Sequence, residues 1–461
     1  MNKKIQKKLQ EVLKSYPSLV SIIDAIADQG GRVVVVGGAV RDLLLGLPIK
    51  DLDIEVHHLS MHDLESILKK FGPVSLVGKA YGVLRLHGLD IDWSIPRTEG
   101  AGRKPRVTVD PFMSMKDAFR RRDLTINAMG IDLVSFELID PFQGLKDLDV
   151  GLLRACDKEK FLEDPLRFFR VMQFIGRFAM QAAPSLNALC KTMSVDKVSV
   201  ERIAEEMRKL LLASKQPSLA FRWLKKIGRL KDVFPELYDL IGVAQNPKWH
   251  PEGDVFEHTM QSLDAAAQVS YETDEQKLLV LYAALCHDLG KPKTTEEREG
   301  RIISYEHPRK GVPMTKKLLR RITRNKELTD KVAILVEYHM MPLEFTQSGA
   351  KFAAYKRLAR KIAPLTLHEL SLLAIADRRG RNGKKNEPLK STPQDIKTFI
   401  RKAEEAGVLQ DLEEPILQGR DLLDIVAPGP DMGRLLKEAY EIQLEEGIRN
   451  KEALKKRVVK K

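Results

Sequence analysis

Apolar positions at Ile5, Leu9, Val12 and Leu13 recur at helical spacing, so residues 1 to about 30 are predicted to form short surface helices. The period then changes. Val33 to Val36 form an unbroken apolar run that reads as a buried strand, leading into Gly37-Gly38 and the helical stretch AVRDLLLG. A second apolar run follows and carries Asp51 and Asp53. Short strands are predicted at Val83–Leu86 and Leu89–Trp93. Residues 97–116 mix Gly, Pro and charge, which predicts a mobile loop. Strand and turn signals return over residues 132–154, and from about residue 158 the pattern stays helical to the C-terminus. A basic Gly/Asn-rich segment at 378–394 reads as a surface loop or linker, and the closing KEALKKRVVKK as a solvated basic end. The predicted fold class is an α/β head with a mixed sheet, followed by a long all-helical body.

At 461 residues the chain has room for two to four domains, each with its own core. The 77 basic and 64 acidic residues leave a formal charge of +13, which suits a polyanionic partner through local basic patches. Cys156, Cys190 and Cys286 are far apart and odd in number, which predicts a reducing compartment without a disulfide framework or a Cys-based zinc site. No stretch approaches the roughly 18 apolar residues of a membrane span, and the basic N-terminus lacks an apolar signal core. The expectation is a cytoplasmic protein with no membrane partner.

The glycine pair lets the backbone turn tightly beside a ligand, and the helix behind it offers free N–H groups to phosphate. Asp51 and Asp53 are two apart, so on a strand they share a face. Adjacent carboxylates repel unless a cation lies between them, and an all-oxygen site suits Mg²⁺. A phosphate cradle beside such a site is the minimum apparatus of phosphoryl or nucleotidyl transfer. Asp90 and Asp92 could add a carboxylate, with turn or edge positions equally open. The cluster Arg120-Arg121-Arg122-Asp123, with Asn127 close behind, reads as a fixed polar site as readily as a solvated face. Asp164 precedes Pro165, a natural helix N-cap, and Arg167 lies three residues on, on the same helix face. A carboxylate only accepts and a guanidinium only donates, so this pair matches the pairing edges of cytosine and adenine and mismatches those of uracil and guanine. Farther on, His258, His287-Asp288, His307, His339 and Asp377 stand on or at the ends of apolar helices. Imidazoles and carboxylates together bind divalent metals and activate water.

The run GGAVRDLLLG with Asp51-Leu52-Asp53 resembles the signature of the class II nucleotidyltransferases, the family of tRNA CCA-adding enzymes and bacterial poly(A) polymerases. RRDLTINA and EDPLR match two further motifs of that family. The resemblance implies Asp51 and Asp53 as catalytic Mg²⁺ ligands, where an RNA 3′-hydroxyl meets the α-phosphate of CTP or ATP. It implies Gly38 and Arg41 on the triphosphate, Arg121, Asp123, Asn127 and Arg170 around the nucleotide, and Asp164 with Arg167 as the protein template for CTP and ATP. It also implies a flexible specificity loop within 97–116. The family usually carries an acidic pair before RRD, where this chain has Met115-Lys116-Asp117-Ala118. The histidine set resembles the HD phosphohydrolase superfamily, which implies His258, His287, Asp288 and Asp377 as core ligands of Ni²⁺, Mn²⁺ or Mg²⁺. His307 and His339 would then serve a second metal or a phosphate. The expected domains are a helical extension (1–30), the nucleotidyltransferase head (31–155), a helical neck and body (156–245), the HD domain (246–380) and a basic loop with a helical tail (381–461). Basic positions Arg208, Lys209, Arg222, Lys225, Lys226 and Arg229 of the body could meet tRNA phosphates or face solvent. The expected partners are the tRNA 3′ end, CTP and ATP, with the oligomeric state open between monomer and homodimer. The expected activity is addition of CCA, with a second phosphatase, 2′-nucleotidase or 2′,3′-cyclic phosphodiesterase site. The rivals are a poly(A) polymerase, a CC- or A-adding relative, a non-catalytic tRNA-binding module, and a protein whose main activity is the HD domain's.

Overall fold

The computed structural model describes residues 3–16, 18–49, 51–77, 82–99, 107–384 and 387–459. The chain divides into two compact units, Met1–Val198 and Ser199–Lys461.

The first unit begins with α1 (Lys3–Lys14) and α2 (Leu19–Ala27), which bury Leu9, Leu13, Leu19, Ile22, Ile23 and Ile26. Next come β1 (Arg32–Val36), α3 (Gly38–Leu44), β2 (Leu52–His57), α4 (Met61–Leu68), β3 (Val74–Val77), β4 (Val83–Leu86) and β5 (Ile91–Ser94). A hairpin of β6 (Arg97–Glu99) and β7 (Val107–Val109) leads to α5 (Met115–Arg120), β8 (Gly130–Asp132), β9 (Leu138–Ile139) and α6 (Gly144–Asp149). The main sheet runs β3-β4-β5-β2-β1-β8-β9; β2 and β5 are parallel and the other neighbours antiparallel. The four valines of β1 are buried because the strand is interior, with β2 on one side and β8 on the other. Val34 and Val36 pack with Ala118, Phe119 and Ala128.

Two expectations are corrected here. The strand predicted at Leu89–Trp93 is Ile91–Ser94, with Leu89 and Asp90 in the approach to it. The predicted 97–116 loop contains regular structure at both ends: residues 97–99 pair with 107–109 across β6 and β7, and Ser114 caps α5 by accepting from the Asp117 N–H. Its centre, residues 100–106, lies outside the described residues.

The unit continues with α7 (Lys158–Glu163), α8 (Leu166–Phe178) and α9 (Pro184–Thr192). Asp164 does not stand on α8: it ends α7, and its Oδ1 accepts the Leu166 N–H at 3.1 Å as α8 begins.

The second unit is mostly helical rather than all-helical: beside a short antiparallel hairpin of Glu296–Arg298 with Arg301–Ile303, it holds α10 (Val200–Ala213), α11 (Ser218–Lys226), α12 (Leu230–Val233), α13 (Pro235–Tyr238), α14 (Val255–Ala267), α15 (Asp274–Cys286), α16 (His307–Ile322), α17 (Lys326–Tyr338), α18 (Met341–Ser348), α19 (Phe352–Ile362) and α20 (Leu367–Arg379). The tail holds α21 (Gln394–Glu405), α22 (Pro430–Glu446) and α23 (Lys451–Val459). α14 is buried on nearly every face and α15 from Leu279 onward, so these helices form the centre against which α17 and α20 pack. Among the described residues no helix is long and apolar enough to cross a membrane.

Candidate functional sites

The head site grows from the register of three strands. Asp53 on β2 stands opposite Val36 on β1 and Asp92 on β5, and Asp51 precedes β2 on the same outward face. The parallel pairing of β2 with β5 thus brings Asp92 beside the DxD pair. Arg85 on β4 holds Asp92 Oδ1 at 2.7 and 2.9 Å. Asp53 faces outward yet is crowded by protein. That desolvation, with Asp92 and Asp51 adding repulsion, pushes its carboxyl up against the opposing pull of Arg122. Three carboxylates gathered on one outward face suit a hard divalent cation.

Beside them, Gly37 caps α3 at φ 77°, ψ −130°, a backbone region for glycine alone. A Cβ there would lie 2.6 Å from Arg122 Nη1. Arg122 stacks over Phe119, and its Nε is buried without a hydrogen-bond acceptor among the described residues. Arg121 Nη2 donates to Glu55 at 3.1 Å. Burial alone would raise the Glu55 carboxyl, but a hydrogen bond from His57 and the charges of Arg122 and Arg121 bring it below its ordinary value. Both arginines therefore surround a fully buried anion.

Behind this cleft a polar chain crosses from α3 to α8. Arg41 Nη1 donates to Asn127 Oδ1 at 2.5 Å, Asn127 Nδ2 to Asp123 Oδ1 at 3.0 Å, and Arg170 Nε to Asp123 Oδ2 at 2.6 Å. Arg41 is 5% exposed and lies 5.1 Å from the ring centres of both Phe174 and Phe178. Burial would raise Asp123, yet Arg170, Asn127 and Arg167 hold its carboxyl down at about 2. Arg167 donates to the carbonyls of Lys160 at 2.8 Å and Arg121 at 2.5 Å. The structure thus gathers Arg121, Asp123, Asn127, Arg167 and Arg170 into one network but turns Asp123 inward. Gly37, rather than Gly38, occupies the strained turn. Glu55 and Arg122 escaped sequence reasoning. Glu55 reads as part of an apolar strand, and Arg122 as one of three equivalent arginines.

The second centre is built by helix ends. His258 sits in the first turn of α14, His287 and His339 cap the C-termini of α15 and α17, His307 opens α16, and Asp377 lies in the last turn of α20. His258 Nε2 is 3.1 Å from His287 Nε2, 3.1 Å from Asp377 Oδ1 and 3.7 Å from Asp288 Oδ2. His287 Nε2 is 3.3 Å from Asp288 Oδ2. Asp288 Oδ1 lies 3.4 Å from His307 Nε2, which is 3.2 Å from His339 Nε2. All six side chains are buried.

Hydrogen bonding assigns the tautomers. The Nδ1 atoms of His287, His307 and His339 lie 2.9, 2.7 and 2.7 Å from the carbonyls of Ala284, Ser304 and Val336. A carbonyl only accepts, so each Nδ1 carries hydrogen. Burial, with neighbouring imidazoles, holds His339 down at about 3, and burial also lowers His307, so both rings are neutral. Their Nε2 lone pairs then face each other at 3.2 Å, an arrangement that a shared cation stabilises. Asp288 and Asp377 remain ionised. Burial opposes this, but His287 and Lys291 hold Asp288 well below the carboxylate range, and Arg381 and His258 do the same for Asp377. The residues present therefore fit one or two divalent ions. Sequence reasoning missed Lys291, 2.7 Å from Asp288 Oδ2, and Arg381, which forks onto Asp377 at 2.8 and 2.9 Å. In the body, Arg222 is paired bidentately with Glu257 and Arg229 is buried against Asp232, so these two are not free phosphate contacts.

Residues 33–154 match the family model "Poly A polymerase head domain", 185–240 match "Probable RNA and SrmB- binding site of polymerase A", and 255–382 match "HD domain". Fold and sites together define a nucleotidyltransferase carrying an HD-type metal centre. The chain belongs to the family of the multifunctional CCA proteins. It is 34% identical over 367 residues to that protein of Pasteurella multocida, covering 76% of this chain and 84% of the relative. It is 32% identical over 404 residues to that of Mannheimia succiniciproducens, covering 84% and 92%. Among solved structures, the Bacillus stearothermophilus CCA-adding enzyme in complex with CTP superposes with TM-score 0.66 at 22% identity, over 96% of this chain and 97% of that one. The Thermotoga maritima CCA-adding enzyme complexed with tRNA gives 0.59 at 20% identity, over 98% and 97%. At these identities the structural likeness concerns the fold.

Proposed function

We propose that this protein adds CCA to the 3′ end of tRNA from CTP and ATP without a nucleic-acid template, and that its HD centre is a separate phosphohydrolase. The observation that carries the first part is the Asp51/Asp53/Asp92 cluster beside an arginine-rich cleft, in a chain whose 30%-plus identical relatives are multifunctional CCA proteins. In each step the tRNA O3′ forms a bond to Pα of the nucleotide, the bond from Pα to the bridging oxygen breaks, and pyrophosphate leaves. Asp51, Asp53 and Asp92 would hold Mg²⁺, which neutralises charge developing at the α-phosphate. The chain's own residues do the positioning. Arg121 and Arg122 face the phosphates, while Arg41, Asn127 and Asp123 act from behind by fixing Arg170. Arg167, with two of its five N–H groups on backbone carbonyls, has its plane set for reading a base together with Asp164.

At the HD centre, His258, His287, Asp288 and Asp377 would hold one divalent ion, and His307 and His339 with Asp288 would hold a second. The imidazole-rich set favours Ni²⁺ over Mg²⁺. The metal supplies an activated water for phosphate-ester hydrolysis; Lys291 and Arg381 keep the two carboxylates ionised and oriented. We place the protein in the cytoplasm, where its three cysteines are free thiols.

The test is incubation with tRNA lacking CCA and each labelled nucleotide. CTP alone should add two residues, and ATP one more once CC is present. Incorporation of ATP alone, or a long A tail, refutes CCA addition. Hydrolysis of a 2′,3′-cyclic nucleotide should survive Asp53→Ala and vanish in His287→Ala; loss in both would refute the separation of sites.

A further inference from the structure

Three of the HD imidazoles are anchored alike, each Nδ1 bonded to the carbonyl three residues earlier in its own chain turn. His258 is anchored differently. Its Nδ1 lies 2.7 Å from Glu252 Oε1, close though not aligned for a hydrogen bond, and Glu252 comes from the irregular segment 246–254 ahead of α14. The same oxygen takes His250 Nδ1 at 2.9 Å, and the His250 and His258 rings meet edge to face at 4.8 Å. The Glu252 side chain is 0% exposed. Its other oxygen, Oε2, is buried without a hydrogen-bond donor among the described residues, so Oε1 makes both imidazole contacts.

We infer that Glu252 is a positioning residue for the HD metal: its charge fixes hydrogen on His258 Nδ1 and turns a strengthened Nε2 lone pair toward His287, Asp288 and Asp377. This rests on the metal reading above and goes beyond it by making the 246–254 segment part of the metal's support. An ionised partner behind a ligating imidazole raises its basicity and fixes the ring, and removing such partners typically weakens metal binding by about 10–100-fold. His250 contacts the same Glu252 oxygen beside the His258 ring and so helps keep the carboxylate turned toward His258.

The test uses the full-length protein stripped with chelator and titrated with Mn²⁺, free ion being read by electron paramagnetic resonance, with the thermal transition followed in chelator. Glu252→Gln keeps the shape and removes the charge; Glu252→Asp keeps the charge and shortens the reach. If charge positions the metal, affinity falls in the order native, Asp, Gln, with the Gln variant weakened at least about tenfold. If Glu252 only packs the segment, the isosteric Gln variant binds like the native protein and Asp binds worse, which overturns the inference. Gln and Asp variants that both bind within twofold of native overturn it as well. Failure of the unsubstituted protein to bind Mn²⁺ overturns the metal reading itself, and this inference with it.

Discussion

Replacing Asp123 by Asn should weaken both the head and its activity, and the structure gives the size of the effect. Asp123 is 6% exposed and accepts from Arg170 Nε at 2.6 Å, the Leu124 N–H at 2.8 Å and Asn127 Nδ2 at 3.0 Å. Burial opposes its charge, but Arg170, Asn127 and Arg167 bring the carboxyl from 3.8 to about 2. A shift of that size corresponds to about 2 kcal/mol of folding free energy while the group is ionised. The Asn variant loses the charge that Arg170 faces. Because the Arg170 side chain is 33% exposed, water relieves part of the orphaned charge, and the expected loss stays near 2–3 kcal/mol rather than the larger cost of a sealed pair. Trp93 on β5 is the N-terminal unit's only tryptophan, so urea unfolding followed by its fluorescence, with Trp223 and Trp249 replaced by Phe, reads this unit alone. The pH dependence has a definite sign. A depressed carboxyl contributes its stability above the unfolded value of 3.8 and loses it as pH falls toward about 2. The gap between native and variant should therefore be flat from pH 5 to 8 and shrink to roughly half by pH 3. Nucleotide incorporation should drop in parallel, because Arg170 and Asn127 lose their common anchor. Coincident unfolding curves at pH 7, or a gap unchanged at pH 3, would refute this account.

Gly37→Ala forces a side chain into a glycine-only conformation and against Arg122, so the head should lose about 1–3 kcal/mol and KM for CTP and ATP should rise; unchanged steady-state kinetics would count against the cradle. Asp264 on α14 accepts from the Ser218 N–H at 2.9 Å and Ser218 Oγ at 2.6 Å at the start of α11, and burial pushes its carboxyl up to about 7. A carboxyl raised in the folded state stabilises below its unfolded value and loses that contribution as pH climbs through about 7. The second unit should therefore weaken by up to about 4 kcal/mol between pH 4 and pH 8, and Asp264→Asn should flatten that slope, as followed by Trp223 fluorescence on α11.

Much of this protein is written in local pattern. The valine run, the glycine pair, DxD, RRD and the HD histidines announce strand, turn, carboxylate pair and metal ligands, because each depends on residue type and short-range spacing. What spacing cannot carry is register and direction. Asp92 joins Asp53 only because β5 lies parallel to β2, a pairing between residues 39 positions apart that no local period encodes. The family resemblance implies Asp123 near the nucleotide; what the fold adds is Arg170, 47 residues on, brought within 2.6 Å of its carboxylate. Glu55 is disguised by an apolar strand, and its role exists only once Arg121 and His57 surround it. At the HD centre Lys291, Arg381 and Glu252 lie three, four and six residues from Asp288, Asp377 and His258, within reach of local spacing; what long-range helix packing decided is that His258, His287, Asp288, His307, His339 and Asp377 meet at one place. The chain by itself thus determined the class of chemistry. Tertiary structure decided which charges face a substrate and which hold those charges in place, since Coulomb interactions depend on distance in space and not along the chain.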